Sequence, residues 1–240
     1  MIRQVFTEIA DAIRTKNGSS DTYTPLEMPQ AIEDIPTGGG EIDALLDGSI
    51  TSLTSDVAAI LDYSCYYREM LETVSLNEAV TIGAYAFNGC MSMTSFEAPK
   101  AETLKNYCLS SCNSLEEIHL PAAYAIKNSV FYGCNILETV DLQYDGEQRV
   151  AIGMNAFTQC LALKNLIVRN THNTATLSGG SSALSSTPIA SGGGYIYVPR
   201  AMVSAYQAAT NWSYYSAQIR ALEDYTDDGT TSGIFIPPAN

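Results

Sequence analysis

An α+β solenoid of about five coils of 22–26 residues, with helices at both ends, is the fold this 240-residue sequence predicts. Three observations carry the expectation. Five segments share one order of buried-type residues, at offsets +5, +8, +11, +14 and +16 from an aliphatic start: Ile60-Cys65-Arg68-Leu71-Val74-Leu76, Ile82-Phe87-Cys90-Met93-Phe96-Ala98, Leu104-Leu109-Cys112-Leu115-Ile118-Leu120, Ile126-Phe131-Cys134-Leu137-Val140-Leu142 and Ile152-Phe157-Cys160-Leu163-Leu166-Val168. Their starts lie 22, 22, 22 and 26 residues apart. Both ends of the chain lose this pattern and take on helical periodicity. A period in the low twenties with leucine-type positions marks a leucine-rich-repeat solenoid, in which each coil buries its apolar side only against neighbouring coils.

The elements follow in order. Residues 1–37 form an N-terminal helical attachment segment: Ile2, Val5, Phe6, Ile9, Ala12 and Ile13 recur at three- and four-residue spacing, one apolar helical stripe that stops near Lys16-Asn17-Gly18. A second short helix covers Pro29 to Ile35, with the proline in its first turn, where an N–H is dispensable. The stripe either folds back on the first coil or gathers, in three copies, into a small bundle. About four turns are too few for a free-standing coiled coil, so attachment to a larger assembly is the expectation. Thr37-Gly38-Gly39-Gly40 opens a linker and N-terminal cap over 38–59, in which Leu45 to Leu53 reads as a worn half-repeat.

The solenoid spans 60–194. Its four extra residues before Ile152 fall around Gln143-Tyr144-Asp145-Gly146-Glu147, whose Asp-Gly pair suits a turn extruded from the stack. Residues 195–224 read as a strand-helix cap: a strand from Tyr195 to Val198 ended by Pro199, then helices over Arg200 to Ala209 and Tyr214 to Leu222. The tail, 225–240, is polar and then apolar at Ile234-Phe235-Ile236, which suits an edge strand or a partner.

Twenty-six acidic against 12 basic side chains give a net charge of −14, which sets the chain against phosphate backbones and anionic membranes. No apolar run approaches the ~20 residues of a bilayer span. The first residues are amphipathic and lack the uninterrupted apolar stretch of a secretory signal, so either export by that route is not expected or the sequence is already trimmed. Nucleic-acid binding and membrane insertion are therefore not expected.

The six cysteines stand at 65, 90, 108, 112, 134 and 160, and four of them share one repeat column. Stacked column residues point the same way and not at one another, so they read as buried small hydrophobes in preference to disulfides. No CxxC pair, GxSxG elbow, phosphate-binding loop or calcium loop occurs, and His119 and His172 stand in no metal-ligand spacing. Neither catalysis nor a cofactor is expected. A polysaccharide-cleaving pair of carboxylates would need a cleft that a regular solenoid does not offer.

Two surface columns remain as candidate ligand or partner sites. Tyr63, Tyr85 and Tyr107 recur at +3 as a tyrosine ladder on a coil corner; tyrosine faces and hydroxyls suit sugar rings or a protein, and the plainer reading is corner packing. Strand alternation turns Glu97, Glu117, His119 and Asp141 outward with Glu72, Glu116 and Glu138, an acidic face whose plainer role is solubility and in which His119 is a solvated surface histidine.

The coil Ile82-Gly83-Ala84-Tyr85-Ala86-Phe87-Asn88-Gly89-Cys90 closely resembles the BspA-like leucine-rich repeat family. The run Thr187-Pro188-Ile189-Ala190, then Gly194 to Pro199 and Tyr206 to Ser213, looks like the module that follows such repeats in proteins of gut Firmicutes and their phages. Ile9-Ala10-Asp11-Ala12-Ile13-Arg14 with Pro25-Leu26-Glu27-Met28-Pro29-Gln30-Ala31-Ile32 resembles the opening of tail-associated structural proteins of phages of Gram-positive bacteria. The resemblances imply a non-enzymatic phage tail protein. It would attach to other tail proteins through Ile2, Val5, Phe6, Ile9 and Ile13 and present the solenoid to a bacterial surface protein or glycan. The alternative they imply is a cell-surface or secreted adhesin. Arg68 in the cysteine column, Cys65 and Leu109 in the phenylalanine column, and Ala98 in a strand leucine position depart from the family pattern.

Overall fold

The computed structural model describes residues 49–224. The chain divides into two units, Met1–Leu46 and Asp47–Asn240, and the described residues belong to the second. The N-terminal stripe with its second helix, and the tail, lie outside the described residues.

Each coil contributes a two-residue strand and a longer one. The short strands β2 (Ala59–Ile60), β4 (Thr81–Ile82), β6 (Thr103–Leu104), β8 (Ala125–Ile126), β10 (Ala151–Ile152) and β12 (Thr176–Leu177) form one six-stranded parallel sheet in that order. The longer strands form two further parallel sheets. One runs β1 (Ser52–Ser55), β3 (Thr73–Leu76), β5 (Ser95–Glu97); the other β7 (Glu117–Leu120), β9 (Thr139–Leu142), β11 (Asn165–Val168), β13 (Tyr195–Val198), β14 (Ile219–Ala221). Register follows the repeat, with Val74 opposite Phe96, Ile118 opposite Val140 and Val140 opposite Leu166. The +14 and +16 residues thus point inward on every long strand, as period-two alternation requires.

The core is a set of columns. Ile82, Leu104, Ile126 and Ile152 line one, Phe87, Leu109, Phe131 and Phe157 a second, and Leu71, Met93, Leu115, Leu137 and Leu163 a third, all buried. Phe131 and Phe157 stack at 5.5 Å and 4°. In the cysteine column each thiol donates to the carbonyl of the +5 residue one coil earlier: Cys90 to Cys65, Cys112 to Phe87, Cys134 to Leu109 and Cys160 to Phe131, at 3.0–3.3 Å. All six cysteines are buried free thiols. Arg68, which stands in this column in the first coil, leaves its Nε buried without a partner.

The corners are bonded in one direction. The N–H groups at +3, +5 and +7 donate to the carbonyls at +2, +4 and +6 of the following coil, as Tyr63, Cys65 and Tyr67 do to Ala84, Ala86 and Asn88 at 2.7–2.9 Å. The same three bonds recur from the second, third and fourth coils. Gly153 sits where a Cβ would lie 2.5 Å from the carbonyl carbon of Lys127, so the backbones touch there.

Three findings differ from the sequence expectation. A sixth coil exists: β12 continues the short sheet, Ala183 and Ser185 supply the corner acceptors for Phe157 and Gln159, and β13 is its long strand. The Gly/Ser-rich stretch hid it because its buried residues Leu184, Ile189, Ile196 and Val198 fall off the repeat's offsets from Leu177. The helix expected over Tyr214 to Leu222 is instead a 3-10 segment, Trp212–Gln218, followed by β14, which pairs with β13. The long sheet is interrupted between β5 and β7. That break falls on the coil carrying Phe96 and Ala98 at the inward strand positions, where its neighbours carry Val74 or Ile118 and Leu76 or Leu120.

The segment after β13 sits on the last coil. Helix α1 (Pro188–Ser191) is capped by Thr187, which accepts from the Ala190 N–H at 3.1 Å. Beyond β13, helix α2 (Val203–Ala208) brings Tyr206 beside Trp212 at 5.1 Å. The Tyr206 hydroxyl accepts from the Ala175 N–H at 2.9 Å, the Trp212 indole donates to the Ala175 carbonyl at 2.7 Å, and the Asn211 amide donates to the Leu177 carbonyl at 2.7 Å. Side chains thereby satisfy backbone groups at β12 that elsewhere bond another coil.

Candidate binding surface

The structure brings Tyr63, Tyr85 and Tyr107 together. Their backbones are left-handed, φ 65°, 57° and 58°, as are Ser129 and Asn155 at the same position in later coils. For a bulky residue this conformation costs on the order of 1 kcal/mol, and ring stacking offsets it. Tyr63 lies 5.0 Å from Tyr85 at 2°, and Tyr85 lies 4.9 Å from Tyr107 at 10°. Parallel rings at the coil spacing face one another along the stack. Tyr85 therefore turns both faces to neighbours, and the two end rings, Tyr63 and Tyr107, each stack through one face only. The ladder therefore offers edges and hydroxyls along its length, with unstacked ring faces only at its two ends.

Beside Tyr63 stand two tyrosines that sequence reasoning missed. Tyr66 meets Tyr63 edge-on at 5.6 Å and 72°, and Tyr67 meets Tyr66 at 4.6 Å and 66°. The Tyr67 ring covers Gly89, whose Cβ would lie 3.1 Å from it. Tyr63, Tyr66 and Tyr67 are 57, 44 and 50% exposed, with Leu61 and Met70 also exposed beside them in the chain. The signal was present: Tyr67 occupies a left-handed column that holds Gly89, Ser111, Gly133 and Gln159 in later coils, a backbone conformation unfavourable for a bulky aromatic.

The outward strand residues form a second cluster. Asp141 is wholly buried, contrary to its reading as part of a solvated face. Arg169 donates to it from Nε at 2.9 Å and Nη2 at 3.0 Å, and Gln143 donates at 2.9 Å. His119 is half-buried, not a solvated histidine: its Nδ1 lies 3.6 Å from the Asp141 carboxylate and its Nε2 3.8 Å from Glu117. The Asp141 carboxylate raises the His119 pKa against the opposing effect of burial. Burial alone would push the Asp141 carboxyl up, but His119, Arg169 and Gln143 outweigh it and hold it below the usual value. Glu97 joins Glu117 and His119 only as lining of a shallow groove of about 460 Å³ at the β5–β7 break. Among the described residues no cluster of histidine, cysteine and carboxylate side chains is placed to hold a metal ion. Ile2, Val5, Phe6, Ile9 and Ile13 lie outside the described residues.

The model of the BspA type leucine-rich repeat region matches residues 58–185, more than half the chain, in six copies, the number of coils the structure shows. The chain belongs to the BspA-type leucine-rich repeat family. The BspA-type solenoid is similar to the crystal structure of the pneumococcal vaccine antigen PcpA, with TM-score 0.50 at 14% identity over 72% of this chain and 40% of that one. It is also similar to a Treponema (T. pallidum) leucine-rich repeat protein, with TM-score 0.43 at 22% identity over 49% of this chain and 58% of that one. A leucine-rich cell surface protein of Faecalibacterium prausnitzii matches with TM-score 0.38 at 23% identity, over 57% of this chain and 35% of that one. The chain thus spans less than two thirds of the length of each. No curated protein matches it. The matched family is a repeat family, and among the described residues no helix is long and apolar enough to cross a membrane.

Proposed function

We propose that this chain is a non-enzymatic adhesion protein that presents its BspA-type solenoid to a bacterial surface, with Tyr63, Tyr66 and Tyr67 as the contact. The observation that carries the reading is the exposure of these three rings at the start of the stack, 57, 44 and 50%. Aromatic side chains that expose both apolar area and hydroxyls are the groups enriched in binding surfaces, for protein and for sugar alike. The test is binding of the full chain to a panel of intact Gram-positive cells, compared with the triple Tyr63→Ser, Tyr66→Ser, Tyr67→Ser variant. Loss of cell binding with an unchanged far-UV spectrum is the expected result. Undiminished binding overturns the assignment of the contact.

The resemblance of residues 9–32 to tail-associated phage proteins supports a setting for the same activity: attachment to other tail proteins, in a virion, through the N-terminal stripe. The free-standing cell-surface or secreted adhesin is the second reading, supported by the family itself. Light scattering on the full chain and on an Ile9→Asp, Ile13→Asp variant separates them. A trimer that the variant reduces to a monomer is expected for the tail setting; a monomer in both favours the adhesin.

A further inference from the structure

The second and third coils part on one side only. Their corners are bonded, Tyr85, Phe87 and Gly89 donating to Asn106, Cys108 and Ser110 at 2.8–3.0 Å, and their short strands β4 and β6 pair. Their long strands, β5 and β7, do not pair. At other long-strand junctions the +13 N–H donates to the +12 carbonyl of the coil before, as Ser95 does to Glu72, Thr139 to Glu116 and Asn165 to Glu138, at 3.1–3.3 Å. Glu117 makes no such bond to Thr94. The +17 N–H groups of Gln143 and Arg169 donate to Leu120 and Leu142 at 3.1 and 3.0 Å, but the third coil carries Pro121 there, which has no N–H to give. The groove of about 460 Å³ lies along this seam. Buried Phe96 lies at its floor, exposed Pro99 and Pro121 line it, and exposed Glu97 and Glu117 stand at its rim.

Glu97 belongs to the outward column at +15, in which His119 and Asp141 follow it. The same column shows what such a carboxylate takes. Asp141 holds the guanidinium of Arg169, which reaches it from +17 of the following coil. The residue at +17 of the coil after Glu97 is Pro121, nearby Lys100 is engaged with Glu78, and among the described residues no cation pairs with Glu97. We infer that the groove between β5 and β7 receives an arginine side chain of a partner protein, its guanidinium on the Glu97 carboxylate beside Glu117 and its stem against Pro99 and Pro121. A planar fork sets two N–H groups on one carboxylate, the geometry Arg169 already adopts, and sheds water more readily than an ammonium, which selects arginine over lysine. The Thr94 carbonyl, left without the Glu117 N–H, lines the groove as a further acceptor. The net charge of −14 draws a basic partner towards it. This surface is separate from the tyrosine contact, since Tyr63, Tyr66 and Tyr67 do not line it.

The probe is the peptide acetyl-Gly-Arg-Gly-amide, titrated into the isotope-labelled full chain and read by amide chemical shifts. Saturable shifts are expected at Thr94, Glu97, Glu117 and His119. Affinity should fall at least tenfold when lysine, or citrulline of the same shape without the charge, replaces the arginine, and at least tenfold in Glu97→Gln, an exposed and isosteric change. Pro121→Arg places a guanidinium where Arg169 stands relative to Asp141, and it should close the groove to the peptide to the same extent. Shifts spread evenly over the acidic surface, equal affinity for the lysine and arginine peptides, or binding unmoved by Glu97→Gln overturns the inference, and so does the absence of any saturable shift.

Discussion

The guanidinium of Arg169 grips the carboxylate of Asp141 across adjacent coils, through Nε at 2.9 Å and Nη2 at 3.0 Å, while the carboxylate itself is shut away from solvent. Removing the carboxylate takes this acceptor from both the Arg169 guanidinium and the Gln143 amide. Asp141→Ala is expected to destabilise the solenoid by about 3 kcal/mol in urea unfolding, the scale for breaking a buried pair. The pH dependence follows from the two directions of shift. Asp141, lowered in the fold, contributes stability above the ordinary carboxylate range that is lost as pH falls through its folded value. His119, raised in the fold, contributes below its ordinary value and loses that contribution as pH rises through the folded one. The cluster therefore stabilises most between about pH 4 and 6.5, and Asp141→Asn flattens both limbs of a urea-midpoint profile.

Two glycines separate backbone conformation from backbone contact. Gly133 has φ 75° with only the Ser111 hydroxyl near a Cβ, at 3.5 Å. Gly153 has no unusual φ, but a Cβ there meets the main chain of Lys127 at 2.5 Å. Gly133→Ala is expected to cost about 1 kcal/mol. Gly153→Ala is expected to cost about 3 kcal/mol or to block folding, because a neighbouring coil must move. Thermal melts of the two variants side by side check the order, and equal losses would contradict it.

Burial pushes the Cys65 thiol up to about 11 and the Cys90 thiol up to about 12, and raises Cys108, Cys112 and Cys160 as well. Thiolate is the reactive form and all six thiols are buried out of a reagent's reach, so native protein at pH 8 is expected to react with a disulfide reagent at none of them within minutes. The same protein in 6 M guanidinium should release about six equivalents. Fast reaction of even one native thiol would mean that a column is open.

Trp212 donates its indole N–H to Ala175 from a fully buried position. Trp212→Phe leaves that carbonyl unpaired, and a loss of about 2 kcal/mol is expected. Amide exchange reports where: the Ala175 N–H, held by the Tyr206 hydroxyl, should lose protection before the amides of β8 do.

The columns explain why so much of the coil core was legible. Each coil repeats the same burial problem, so Ile82, Phe87, Met93 and Phe96 announce one another's positions through Ile126, Phe131, Leu137 and Val140. What failed to show is what repetition does not encode. Alternation rightly turned Asp141 away from the core, but its burial depends on Arg169, beyond the inserted turn, and no spacing rule links the two. The sixth coil was hidden because its buried residues, Leu184, Ile189, Ile196 and Val198, are spaced from Leu177 unlike those of the other coils. The tyrosine ladder was visible as a column. That stacking would use up both faces of Tyr85 is a matter of ring orientation, to which sequence is blind.

The thiol column also settles how this fold meets a change of compartment. Small domains that work in oxidising surroundings commonly rely on cystine bridges, and thus on folding where such bridges can form. Here the sulfurs act as hydrogen-bond donors between coils, and none is spent on a covalent link. With no covalent link between coils, the solenoid is expected to melt at the same temperature with and without a reductant, and its folding to need no thiol oxidation step.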